Sequence, residues 1–137
     1  MLSTFAGTNI QLFEDNDYAR SGMMGLIDHH VLLIAETIDF SRGLIDFKKR
    51  VGFIGGYFVA HPFNPKVKML SELFWWVDED ERGHSAGARL LREFVAFGKR
   101  NADWIVFGLN DKTPIKERSI LKMGFKSHER CYLMETR

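Results

Sequence analysis

Cysteine is nearly absent from this chain, with Cys131 the only one in 137 residues. A single thiol excludes an internal disulfide framework and fits a reducing compartment. Long apolar runs are missing as well. No segment reaches the roughly 18 consecutive apolar residues of a membrane helix. The N-terminus lacks the basic-then-apolar order of a signal peptide, so the expectation is a cytoplasmic protein without a membrane partner. An excess of one charge is also lacking: 19 Lys and Arg face 18 Asp and Glu, a net charge of +1. So even a balance gives no electrostatic reason to expect nucleic acid as a partner. Proline is scarce, and two of the three residues fall close together in His61-Pro-Phe-Asn-Pro65.

What is present is ordinary for a globular protein: 45% hydrophobic and 27% charged residues. Twelve Phe and three Trp point to a core of bulky rings. The length suits a single domain over residues 1–137, able to bury roughly two thirds of its unfolded surface.

Residues 1–13 give no assignment. Glu14 to His30 begins acidic and continues with Met23, Met24, Leu26 and Ile27, which predicts a helix weakened by Gly22 and Gly25. Val31 to Ile38 reads as a strand, and Asp39 to Arg50 as a charged turn or irregular connection. Val51 to Ala60 reads as a second strand, in which Gly55-Gly56 implies a bulge or a close backbone approach. His61 to Pro65 is expected to be a loop. Lys68 to Val77 is apolar on both alternating faces, as a central strand would be.

Ser85 to Arg100 is the clearest helix, with Leu90, Leu91, Phe94, Val95 and Phe97 on one stripe. Trp104 to Leu109 reads as a buried strand. Pro114 opens a helix over Ile115–Met123, with Gly124 as its stop, and Phe125 to Glu135 closes the chain as a strand. Antiparallel strands followed by strand–helix–strand imply an α/β (α+β) domain. Its sheet is mixed and mostly antiparallel, with a right-handed crossover and helices packed on it.

The chemistry concentrates where the central strand runs through Asp78-Glu-Asp-Glu81 into Arg82-Gly-His-Ser-Ala-Gly-Ala88. Small residues at a helix start expose backbone N–H groups and the positive end of the helix dipole to an anion. The plainer reading is a capped helix with Ser85 as N-cap. Glu72 is the second candidate. A carboxylate among Met69, Leu70, Leu73, Phe74 and Trp75 is costly without a partner or a purpose, and apolar surroundings raise its pKa toward that of a general base. The plainer alternative places it on an exposed face or against an Arg or Lys. Asp28-His29-His30 and His128-Glu-Arg-Cys131 read as solvent-facing segments rather than metal ligands. Cys131 lacks an evident activating base.

The spacing Arg82-x-x-Ser85-x-Gly87, together with Leu121-x-x-Gly124-Phe125, resembles the GNAT superfamily of acyl-CoA-dependent N-acyltransferases. The resemblance runs from about Val51 to the C-terminus. It implies helices on both faces of the sheet and a central strand–loop–helix acyl-CoA site, with acetyl-CoA as co-substrate and no metal. The pyrophosphate would meet the backbone of Arg82, Gly83, His84, Ser85, Ala86, Gly87 and Ala88, with Ser85 where the family usually has Gly. Pantetheine would pair with the backbone of Trp75 to Val77, and Asn110 could hydrogen-bond the same arm. Glu72 would take the proton of an amine on a small molecule or protein. The frequent general acid, a Tyr four residues before the closing Gly-Phe, is replaced by Ile120. Ser119, Tyr132 or water are the substitutes for that role. Ile120 favours the alternative of a non-catalytic module binding CoA or a protein. A homodimer through a sheet edge or the aromatic loop is compatible with the sequence.

Overall fold

The computed structural model describes residues 16–39, 47–109, 113 and 115–136. The chain order is α1 (Asn16–His29), β1 (Val31–Asp39), β2 (Phe47–His61), β3 (Asn64–Val77), a 3-10 turn at Glu79–Glu81, α2 (Ser85–Asn101), β4 (Trp104–Val106) and α3 (Glu117–Lys122). The four strands make one sheet in the order β1-β2-β3-β4. The first two pairings are antiparallel and β3–β4 is parallel. This is the mixed, mostly antiparallel sheet that the element order implies, and α2 supplies the crossover a parallel pair requires.

The two faces of the sheet are covered differently. Leu90, Leu91, Phe94 and Val95 of α2 pack against Val31, Ile54, Leu70, Trp75 and Val77 to form the core. Their spacing is the one-sided stripe of an amphipathic helix, and Arg89, Arg92, Glu93, Lys99 and Arg100 are left exposed. On the opposite face Met23 of α1 joins Leu32, Ile34, Phe53 and Trp76 around a cavity of about 300 Å³. His30 ties α1 to the sheet, since its Nδ1 accepts the Phe58 N–H at 3.1 Å.

A bulge in β3 decides which side chains reach the core. Gly55 pairs with Phe74 but Gly56 pairs with Glu72, so Leu73 is an extra residue. Leu70 and Trp75, five positions apart, therefore share the α2 face, whereas strict alternation would separate them. Both readings of Gly55-Gly56 hold. A Cβ on Gly55 would lie 2.6 Å from the Phe74 ring, and one on Gly56 would lie 2.7 Å from the Ser71 carbonyl oxygen. Trp75 and Trp76, adjacent in the strand, face opposite sides.

Several expectations need correction. Strands β2 and β3 run to His61 and Asn64, so the predicted loop shrinks to a turn at Pro62-Phe63. Pro65 fits within β3 because the register passes from Ala60–Lys68 directly to His61–Asn64 and asks nothing of its missing N–H. Strand β2 begins at Phe47, inside the expected connection, and residues 40–46 lie outside the described residues. Strand β4 stops at Val106 and is not buried, with Trp104 47% and Val106 41% exposed, because it pairs on one side only. Helix α3 begins at Glu117, and Pro114 lies outside the described residues, as do Glu14 and Asp15. Gly124 (φ +97°) follows α3 as its stop. Phe125 to Glu135 forms no strand, and Tyr132, Leu133 and Met134 are exposed. Among the described residues no helix is long and apolar enough to cross a membrane.

Candidate active site

Strands β3 and β4 pair only at Met69–Trp104, Leu70–Ile105 and Ser71–Val106, then part. Beyond Ser71, among the described residues, β2 is the one strand bonded to β3. The Asp78 N–H donates to the Val51 carbonyl at 2.8 Å, so Asp78 turns toward β2. By strand alternation Trp75 and Val77 then turn their N–H and C=O groups into the split. Among the described residues an open backbone edge thus lies at Trp75 and at the Val77 N–H, while the Val77 carbonyl already accepts from Arg82 Nε at 2.9 Å. Asn110 lies outside the described residues.

Glu72 stands at the apex of this split, one residue before the bulge. Its Oε2 accepts the Gly108 N–H across the gap at 3.4 Å. Burial pushes its pKa up from 4.5 to about 7, against the opposing pull of the Gly108 bond. The ion pairs among the described residues are Arg50–Glu36 and His84–Glu81, both at 3.7 Å, and neither involves Glu72. The salt-bridged alternative for Glu72 therefore has no partner among these residues. Close by, the Trp75 indole stacks edge-on with Phe107 at 5.5 Å, and its buried Nε1 has no hydrogen-bond partner. Ile120, in the position of the family's Tyr, is 5% exposed and belongs to the core. Tyr132 is 86% exposed.

The loop after β3 is tied down by its own backbone. Glu81 N donates to Asp78 O at 2.9 Å, Arg82 N to Glu79 O at 3.2 Å, and His84 N to Glu81 O at 3.3 Å. Gly83 sits at φ +86°, a left-handed conformation that suits glycine. The N-cap of α2 is His84, not Ser85, and it makes no side-chain cap bond. Helix geometry leaves the first-turn N–H groups of Ser85, Ala86 and Gly87 without an i−4 acceptor. Of the seven backbone groups named from sequence, those of Arg82 and His84 are engaged within the turn. The first turn of α2 holds the free ones.

Sequence reasoning missed two contributors, Gly108, whose N–H meets Glu72, and Asp78, and left open which of Trp75 and Trp76 lies in the core and which lines a pocket. Trp76 Nε1 donates to Asp78 Oδ1 at 3.3 Å, and the Arg82 guanidinium lies 4.8 Å from the Trp76 ring centroid. Arg82 Nε donates to the Val77 carbonyl at 2.9 Å. The aromatic run Phe74-Trp-Trp76 was the available signal, but it does not say which ring faces the loop.

No family model and no curated protein matches this sequence. Solved structures do match its fold. A transcriptional regulator from Bacillus halodurans is similar at TM-score 0.64 and 15% identity, over 88% of this chain and 75% of that one. A predicted acetyltransferase from Clostridium acetobutylicum, solved with acetyl-CoA, is similar at TM-score 0.62 and 16% identity, over 95% and 80%. A GNAT family acetyltransferase from Staphylococcus aureus gives TM-score 0.57 and 16% identity, over 88% and 77%. The chain thus has a mixed α+β fold shared with solved acetyltransferases. More narrowly, its fold is similar to that of a GNAT family acetyltransferase.

Proposed function

We propose that this protein is an N-acyltransferase that moves an acetyl group from acetyl-CoA to a primary amine within a ternary complex. The observation that carries the reading is Glu72, a partly buried carboxyl group with a pKa near 7, set where β3 and β4 separate. A base of that pKa is half ionised at neutral pH and can accept a proton from an ammonium or from a linked water. The pyrophosphate of the donor would meet the uncapped N–H groups of Ser85, Ala86 and Gly87, aided by the helix dipole. Pantetheine would pair with the open edge at Trp75 and the Val77 N–H, the Val77 carbonyl being held by Arg82.

The steps balance simply. Glu72 removes a proton from the amine, the nitrogen attacks the thioester carbonyl, and a C–N bond forms. Backbone N–H groups at the split would stabilise the oxyanion. Collapse of the tetrahedral intermediate then breaks the C–S bond. The CoA thiolate leaves without a protein acid and is protonated by solvent, which a thiol pKa of about 8.5 makes tolerable. This route fits the burial of Ile120 where a phenol would otherwise stand.

The same burial favours a second reading, a CoA-binding module without turnover. Glu72→Gln separates them. On the enzymatic reading, acetylation across a panel of small-molecule and protein amines falls about 10²–10³-fold, with CoA affinity unchanged within about twofold. Full activity in the variant removes Glu72 from the mechanism. Absence of CoA binding by calorimetry sinks both readings.

A further inference from the structure

Four consecutive carboxylates, Asp78-Glu-Asp-Glu81, precede Arg82, the cation nearest the uncapped start of α2 in sequence. A guanidinium beside so many carboxylates ordinarily pairs with one of them. Here it does not: among the described residues the ion pairs are Arg50–Glu36 and His84–Glu81. Arg82 instead folds back over the end of β3. Its Nε is held by the Val77 carbonyl at 2.9 Å, and its Cζ lies over the Trp76 ring, 4.8 Å from the centroid.

The Trp76 ring is itself fixed at both ends. Its Nε1 donates to Asp78 Oδ1 at 3.3 Å, while Asp78 N donates to Val51 O at 2.8 Å and anchors the strand end to β2. On its other side the indole forms part of the cavity wall with Met23, Leu32, Ile34 and Phe53. The stack uses Nε and one face of the guanidinium and leaves the terminal nitrogens for a ligand. It also fixes where the turn at Gly83 begins, five residues before the last of the small side chains at Gly87 and Ala88.

We infer that Trp76 is a positioning residue for the phosphate-bearing part of the donor, acting through Arg82. The indole keeps the Arg82 charge out of the acidic run and holds the loop so that the first-turn N–H groups of α2 face outward. This rests on the acyl-CoA reading above. Trp76 lies on the face opposite Glu72 and Trp75, so its effect concerns donor affinity and not proton transfer.

The test compares Trp76→Leu and Trp76→Phe in the full chain, using CoA binding by calorimetry and steady-state kinetics with two donors. Acetyl-CoA carries the pyrophosphate; acetyl-pantetheine does not. For Trp76→Leu the CoA Kd and the acetyl-CoA KM rise about tenfold, the scale of a lost cation–π contact, while kcat changes less than about threefold. Trp76→Phe, with a weaker ring face, loses about two- to threefold. With acetyl-pantetheine the loss in kcat/KM is several-fold smaller than with acetyl-CoA for both variants. Should Trp76→Leu fail to fold, Arg82→Lys replaces it, since lysine keeps the charge but not the planar stack, and a similar loss is expected. Unchanged CoA affinity in these variants, or equal losses with both donors, overturns the positioning role and leaves the acyl-CoA reading standing. Failure of the wild type to bind CoA overturns the acyl-CoA reading, and the positioning role with it.

Discussion

At Glu72 a carboxyl group is held among apolar neighbours, so its proton leaves near pH 7 and not near 4.5. Between those values the folded chain keeps a proton that the unfolded chain has lost. Stability therefore falls as pH rises from about 4.5 to about 7 and levels off above, by at most about 3 kcal/mol and less to the extent that solvent reaches the group. Thermal melts at pH 5 and pH 8 should show a decline in the wild type that Glu72→Gln largely removes. The catalytic profile runs the other way: kcat/KM rises as Glu72 ionises, with an inflection near pH 7. A second residue-scale prediction concerns Glu79 and Asp80, which are exposed beside the anion loop. Neutralising both, as Glu79→Gln with Asp80→Asn, should tighten CoA binding about two- to fourfold at low salt and less at high salt, because screened surface charges contribute only modestly. Glu72 was legible in sequence because a carboxylate inside an apolar strand stands out chemically. Gly108 was not, since its part depends on a strand 36 residues away. Nor was the Arg82 stack on Trp76, which depends on which face each ring takes.

Helix α2 and strand β3 together set the site. The stripe of α2 was readable from its period alone, and its start and end differ little from expectation. Its interior position Leu91 is fully buried. Leu91→Ala should cost about 2–5 kcal/mol by denaturant unfolding, since the apolar contact is lost and a cavity remains. Strand β3 is subtler. Gly56→Ala would place a methyl group 2.7 Å from the Ser71 carbonyl and 2.8 Å from the Phe94 ring, so the bulge or α2 must shift. A destabilisation of about 1–3 kcal/mol is expected, with reduced turnover because Gly56 pairs with Glu72. The glycine pair signalled the bulge, but sequence did not show that the extra residue belongs to the opposite strand. The closing segment misled for a related reason. Its strand-like composition describes what Phe125 to Glu135 could pair with, and among the described residues no strand takes it into the sheet.

Across the whole molecule, the core and the split proposed to take the donor are built from the same strand. Binding of CoA should therefore stabilise the entire domain, not a loop alone. At a CoA concentration about 100 times its Kd the gain is about 2.7 kcal/mol, which for a domain of this size raises Tm by about 8–10 °C. A scanning melt over a CoA titration checks this, and an invariant Tm contradicts it. The order of elements made the sheet type legible, because a parallel pair joined through one helix admits few arrangements. Leu73 has a consequence of another kind, concerning chain length. Odd and even positions along β3 exchange sides at this residue. Deleting Leu73 alone would make β3 commensurate with β2 and leave Leu70 and Trp75 four positions apart, still on the core face. A chain shortened by this one residue should therefore keep its core.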